Sequence, residues 1–259
     1  MLQSYDEAEP GVSIMTQSSA GLNPIRTPGK FTDAAYTAIR TGIRMGRILP
    51  GTRLHEADLA LQLGTSKTPV REALGRLIGD GLAVSTFGGK SAVYVPRLSH
   101  KEIIDLYEAR GVIEPPLARM AAEKASEAEV AVLGRILSDF QEGLEADDIY
   151  TLMELDSELH AMIASISGNR ALAQSRERLD NAIAIARVTS VQNAHYGTSA
   201  HALKEHSEIC RAIAEHDGAR AERHMAQHIR RRRDDLIGKW PQASAEDGAD
   251  ACEEGWAQK

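Results

Sequence analysis

One carboxylate and three imidazoles occur in the second half of the chain at spacings that could bring them together around a metal ion. Asp156 and His160 are four residues apart in a helical segment, so both side chains project from one helix face. His206 and His228 lie 11 residues before and 10 residues after the two positions of the turn signal Asp217-Gly218. On antiparallel helices joined there, they would face each other at the same height. Such a set suits a borderline divalent cation, Zn²⁺, Ni²⁺ or Mn²⁺.

The residues alone leave other interpretations of these histidines open. The chain has nine histidines, so pairs four residues apart also arise by chance, and His224 with His228 is a rival pair on one helix. A buried histidine bonded to a neighbouring side chain is commoner than a metal ligand. On that interpretation the cluster is a set of core histidines without a ligand. We expect His201 and His216 at the surface.

A second group of side chains could contact DNA. Its members share the start and one face of a predicted helix, namely Lys67, Thr68, Arg71, Glu72 and Arg76. Short polar and cationic groups suit a phosphate backbone and base edges. A charged helix face is also often simply solvated, so this face alone does not establish DNA binding.

A helix-turn-helix spanning residues 59–82 would present this face. Gly64 follows the first short helix, where a left-handed cap is favoured because glycine has no Cβ. Ser66 could cap the second helix, and Pro69 falls in its first turn, where a missing N–H costs little. Apolar residues at helical spacing give the second helix a buried stripe, namely Val70, Ala73, Leu74 and Leu77. This helix would enter the major groove.

The residues around this motif predict a winged helix. Residues 31–47 carry apolar side chains on one side and form a supporting first helix. Residues 83–95 alternate around Phe87-Gly88-Gly89-Lys90, which predicts a two-stranded hairpin with a glycine-rich tip. Paired short helices with a glycine turn also occur in proteins that never touch DNA, but the following hairpin favours a DNA-binding winged helix.

From residue 100 to about residue 239 the pattern is helical throughout. Ser99 and Glu102 form a predicted capping box at its start. Pro115-Pro116 should kink or interrupt the first helix. We predict helices near residues 100–124, 127–145, 147–167, 170–192, 199–216 and 218–238. They would form an all-α bundle that carries the candidate metal ligands.

The charge of the 259-residue chain is divided unevenly. Its net charge is −7, but residues 30–97 hold ten Lys/Arg and five Asp/Glu, so this segment carries +5 and the remainder −12. A basic module on an acidic body suits electrostatic docking on phosphate. Hydrophobic residues make up 42% of the chain and aromatic residues 4%, so the core must consist mainly of Ala, Leu, Ile and Val, which favours helices.

The sequence predicts a cytoplasmic protein without a membrane partner. No run approaches the roughly 20 apolar residues that span a bilayer. The N-terminus lacks the basic start and apolar block of a signal peptide. Cys210 and Cys252 have no pairing motif, which is typical of a reducing compartment.

The stretch LALQLGTSKTPVREALGRLIGDGL at residues 59–82 resembles the winged-helix signature of the GntR family of bacterial transcription regulators, with TPVREAL as the specific core. The resemblance implies that Lys67, Thr68, Arg71 and the wing glycine, Gly88, contact operator DNA. Arg76 lies on the same predicted face.

Three further stretches resemble the FadR-type C-terminal effector domain of these regulators, the FCD domain. They are LYEARGVIEPPLARMAAE, DSELHAMIASISGN and EHSEICRAIAEHDGARAERHMAQHI. The resemblance implies metal ligands at Asp156, His160, His206 and His228, and an effector held through its carboxylate. Arg110 matches an arginine expected to pair with that carboxylate. An ordinary helix-surface arginine bonded to Glu114 or Glu108 is the open alternative.

The predicted fold is mainly α, with an N-terminal winged helix-turn-helix and a C-terminal all-α bundle. We predict a disordered tail (1–29), a DNA-binding domain (30–96), a linker (97–101), an effector, metal-binding and dimerisation domain (102–238) and a disordered acidic tail (239–259). The predicted function is a homodimeric transcription regulator, a repressor, whose operator binding responds to a small organic acid beside a divalent metal. The alternative is a metal-dependent hydrolase with an appended DNA-binding module, although no HExxH, di-iron or P-loop motif is present.

Overall fold

The computed structural model describes residues 31–86, 92–192 and 199–238, which form nine helices and one short hairpin. Three helices and the hairpin come first, in the order α1 (Phe31–Arg44), α2 (Glu56–Gln62), α3 (Lys67–Gly79), β1 (Val84–Ser85) and β2 (Val93–Tyr94). Six longer helices follow, namely α4 (His100–Lys124), α5 (Glu127–Glu145), α6 (Ile149–Ile166), α7 (Arg170–Gln192), α8 (Ser199–Ala214) and α9 (Gly218–Gly238). The predicted mainly α fold is confirmed.

The first three helices and the hairpin form a winged helix. The predicted apolar stripe of α3 is buried against α1 and α2. Gly64 adopts φ +63° between α2 and α3, in the left-handed region that the turn requires. The strands pair antiparallel, with Val84 opposite Tyr94 and Ser85 opposite Val93. Gly88, in the predicted wing tip, lies outside the described residues.

Two local predictions in this domain need correction. Ser66 stands at the N-cap of α3, but its side chain makes no capping hydrogen bond. The first helix ends at Arg44 and not at Arg47, because Gly46 turns the chain with φ +65°.

The six longer helices form a bundle in which α4 packs against α6, α7, α8 and α9. The predicted capping box at the start of α4 is present, since Glu102 N donates to Ser99 Oγ and Ser99 N donates to the Glu102 carboxylate. Pro115 and Pro116 lie inside α4, which continues through them, so the predicted interruption does not occur. Prolines at these positions deprive the carbonyls of Gly111 and Val112 of partners. Both residues are exposed, so water can satisfy these carbonyls.

Each part has its own apolar core. One cluster joins α1, α2, α3 and the wing, and a larger one fills the bundle. Ile185 of α7 belongs to the first cluster, so a bundle helix contributes to the core of the winged helix. No helix in the described part of the chain is long and apolar enough to cross a membrane.

Candidate metal centre and nucleic-acid interface

The four predicted metal ligands meet inside the bundle. Asp156 and His160 come from the buried face of α6, whereas His206 and His228 come from α8 and α9, which pack against each other. One potential ligand atom from each residue lies within 4.8 Å of the others. All four residues are buried, with at most 4% of their surface exposed. His224, the rival candidate on α9, does not join this cluster. It is half-buried, and its Nδ1 lies 3.5 Å from Glu208 Oε2.

Two of the imidazoles are each held by a carboxylate. His160 Nδ1 lies 2.5 Å from Glu114 Oε2, and His228 Nδ1 lies 2.8 Å from Glu205 Oε2. Although burial opposes it, hydrogen bonds from His228 and Arg231 bring the pKa of Glu205 to about 2. An ionised carboxylate only accepts hydrogen bonds, so the proton of each neutral imidazole resides on Nδ1. Carboxylates fix ligand histidines in metal centres in the same way.

The free nitrogens of these two imidazoles face each other. His160 Nε2 and His228 Nε2 are 3.3 Å apart. Burial lowers the pKa of His160 and, more strongly, that of His228, so both rings are neutral. Two unprotonated nitrogens at this distance repel each other unless a cation lies between them. A divalent metal ion fits this arrangement.

His206 completes the set. Neither of its ring nitrogens has a hydrogen-bond partner among the described residues, although the side chain is fully buried. Burial, together with the positive surroundings, holds the pKa of His206 well below its usual range. Its Nε2 lies 3.3 Å from Asp156 Oδ1, while the other oxygen of Asp156 accepts a hydrogen bond from Arg187. A buried imidazole without a partner is costly unless it binds something, and a metal ion would satisfy it.

Three residues of this centre were not identified as parts of it from the sequence. Glu114, Glu205 and Arg187 contact the candidate ligands, but each contact joins two different helices, so sequence spacing does not indicate it. The spacing of four residues between Arg110 and Glu114 indicates an ion pair between them. It does not indicate that Glu114 contacts His160, which is 46 residues away.

Arg110 is buried, with 1% of its surface exposed. Its Nε donates to Glu114 Oε1 at 2.5 Å, and its guanidinium lies 4.8 Å from the centre of the Tyr107 ring. The bond to Glu114 is the one foreseen as the alternative to effector binding, but the side chain is inside the bundle and not on the helix surface. Glu114 contacts both Arg110 and His160, so only the Glu114 side chain separates the charge of Arg110 from the His160 imidazole.

The predicted DNA-contacting residues lie on α3. Lys67 and Thr68 are exposed at its start, and Arg71 is two-thirds exposed with a two-pronged hydrogen bond to Glu56 of α2. Arg76 lies further along the helix and is about half exposed. It donates to Asp33 of α1 at 2.6 Å and lies 4.2 Å above the Tyr36 ring, so it also packs α3 on α1. Lys67 and Arg71 carry the cationic start of α3.

Two family matches divide the chain in the same way as the cores. Residues 31–93 match the gntR family of bacterial regulatory proteins, and residues 105–231 match the FCD domain.

The chain is similar to named transcription regulators. The Nta operon transcriptional regulator of Aminobacter aminovorans is 33% identical over 138 residues, which cover 53% of this chain and 64% of that protein. The HTH-type transcriptional repressor RspR of Escherichia coli K12 is 27% identical over 208 residues, covering 80% and 88%. The solved structure of E. coli McbR/YncC has the same fold, with a TM-score of 0.71 at 20% identity over 82% of this chain and 99% of that one.

Proposed function

Because this chain belongs to the GntR family of transcription regulators and carries an FCD domain, we propose that a small organic acid, bound beside a divalent metal, controls its binding to operator DNA. The observation that carries the proposal is the pair of carboxylate-anchored imidazoles, His160 and His228, whose unprotonated Nε2 atoms face each other in the buried cluster.

DNA binding itself follows from the family. We propose that α3 enters the major groove and that Lys67, Thr68, Arg71 and Arg76, with the wing residue Gly88, contact the operator. A homodimer would place two such helices about one DNA turn apart on a near-palindromic site. The relative RspR is named a repressor, which supports repression as the mode of action.

Asp156, His160, His206 and His228 would hold the metal, with Zn²⁺, Ni²⁺ and Mn²⁺ as the candidates. A bound metal ion supplies Lewis acidity and open coordination positions that a carboxylate oxygen can fill. The chain's own residues set the geometry. Glu114 and Glu205 fix the two imidazoles, and Arg187 restricts Asp156 to one free oxygen.

An organic acid in this position needs charge compensation, because an anion in an apolar bundle is otherwise strongly disfavoured. Arg110 is the buried cation that we propose for this role. Its Nε is bonded to Glu114. Arg110 would therefore either attract the effector from behind the Glu114 carboxylate, or release that carboxylate and bind the effector directly. The hydrolase alternative gains no support from the matched families and relatives, which are transcription regulators.

Arg71→Ala should weaken operator binding about 5- to 150-fold, because a lost two-pronged contact to a base costs about 1–3 kcal/mol. Fluorescence anisotropy measures this affinity, with DNA that the protein selects from a random pool.

Lys67→Ala should weaken binding to all sequences alike and lower the salt slope by about 1 if it contacts phosphate. Arg135→Ala, on the exposed surface of α5, is the control. Unchanged affinity in both α3 variants would contradict the assigned interface.

A small organic acid should raise the melting temperature of the metal-loaded protein, by an amount that grows with acid concentration as mass action requires. Thermal shift against sugar acids, hydroxy acids and dicarboxylates tests this. The effect should disappear after chelation and in His160→Ala. If only neutral compounds stabilise the protein, and they do so without regard to metal, the proposed effector class is wrong.

A further inference from the structure

Helix α7 docks on the DNA-binding domain through one of its faces. Asn181 Nδ2 donates to the backbone oxygen of Asp80, the C-cap of α3, at 2.9 Å. Ile185 is buried in the core of the winged helix. Val188 lies against Gly46, just after α1, so closely that a Cβ on that glycine would be 3.3 Å from it. The spacing 181, 185, 188 is that of a single helix face.

The same helix reaches the metal centre with another face. Arg187 donates to Asp156, one of the four candidate ligands, and to Ser157 Oγ at 2.6 Å. Ile183 and Ala186 are buried in the core of the bundle. Arg187 lies within about one helical turn of the docking residues Ile185 and Val188. A movement of Asp156 would therefore act directly on the helix that carries the docking face.

A seam of charged side chains, of which Arg44 and Arg176 are buried, lies where α7 meets α1. Arg44, at the end of α1, is 7% exposed and has Nη1 3.7 Å from Asp180 Oδ2. Asp180 Oδ1 is in turn 2.8 Å from Nη2 of Arg176, which is buried. Arg44 Nε also lies 3.9 Å from Glu154 Oε1 of α6.

The seam is held by ion pairs and not by a complete set of hydrogen bonds. Arg44 Nη1, Arg176 Nε and Asn181 Oδ1 are buried and have no hydrogen-bond partner within the described ranges. Buried charges whose hydrogen bonds are incomplete regain little of their desolvation cost, so the seam adds little net stability to the docking of α1 on α7.

We propose that α7 transmits occupancy of the metal centre to the DNA-binding domain, with Arg187 linking it to Asp156 and the Asp180–Arg44 contact docking α1 on it. This inference rests on the proposed function, since it requires that the cluster bind a ligand. It assigns Arg44 and Asp180 as positioning residues that touch neither metal nor DNA.

Hydrogen–deuterium exchange of the full chain, with and without one equivalent of Zn²⁺, tests the proposal. In the wild type, Zn²⁺ should slow exchange in α6, α8 and α9, and also in α1 by a factor on the order of ten, within the usual range of allosteric coupling. In Asp180→Asn the slowing in α6, α8 and α9 should persist, whereas most of that in α1 should be lost. Arg44→Met should give the same result, and it replaces Asp180→Asn in the test if that variant does not fold. Asp105→Asn, in an exposed ion pair of α4, is the matched control.

The outcomes separate this inference from the proposed function. If Zn²⁺ protects α6, α8 and α9 but leaves α1 unchanged in the wild type, the transmission through α7 is wrong and the metal centre stands. The same holds if both seam variants keep the full response in α1. If Zn²⁺ protects none of these helices, the metal centre is wrong and this inference falls with it.

Discussion

His206→Ala should remove most of the metal from a protein that otherwise binds about one divalent ion per chain. His206 is fully buried, lies 3.3 Å from Asp156 Oδ1 and has both ring nitrogens without hydrogen-bond partners in the described part of the chain. Removing an outer-shell partner of a metal ligand typically costs 10- to 100-fold in affinity, so we expect removal of a ligand to cost more than about 100-fold. Elemental analysis after dialysis measures the metal content.

His224→Ala is the matched control for this substitution. His224 lies one helical turn from His228 on α9, but it contacts Glu208 and stays outside the cluster. The variant should keep nearly all of its metal. Loss of metal in His224→Ala, with retention in His206→Ala, would show that the ligands are wrongly assigned even though a metal is bound.

Glu114→Gln should lower the free energy of unfolding by about 3–5 kcal/mol, because removal of one partner leaves the buried charge of Arg110 without compensation. Both side chains are almost fully buried, with at most 3% exposed. Denaturant unfolding in the presence of a chelator measures this effect apart from metal binding. The same variant should also bind metal about 10- to 100-fold more weakly, since Glu114 fixes His160.

The same helix offers a matched control. Arg119 and Glu123 form another ion pair four residues apart on α4, but both are about half exposed. Exposed pairs contribute little, so Glu123→Gln should change the stability far less than Glu114→Gln. Equal effects of the two substitutions would mean that burial of the Arg110–Glu114 pair has no bearing on stability.

Local signals in the sequence were sufficient for most of the secondary structure. The bundle helices begin and end close to the predicted positions, because capping residues such as Ser99 and turn residues such as Gly168 determine them locally. The convergence of the four candidate ligands could also be predicted, since Asp156 and His160 share a helix face and His206 and His228 are nearly equidistant from one turn. The predicted interruption of α4 at Pro115 and Pro116 was wrong, because the sequence does not show that the carbonyls left without hydrogen-bond donors lie on exposed residues.

Contacts between distant helices could not be predicted in this way. The bond of Glu114 to His160 and the bond of Arg187 to Asp156 each join two helices, and no periodicity within one helix encodes them. The docking of Arg44 against Asp180 depends on how the two domains meet. The roles of the four candidate metal ligands, of Arg110 in effector binding, and of Gly88 and the α3 residues in DNA binding remain predictions.

The most direct test of regulation through the metal centre is a titration of operator DNA with metal-loaded protein, with and without the acid that raises its melting temperature, repeated after chelation. The acid should change operator affinity by about 5- to 150-fold in the metal-loaded protein, as expected for allosteric coupling. It should have no effect on the chelated protein. An affinity that the acid leaves unchanged, or changes equally without metal, would contradict regulation through this centre.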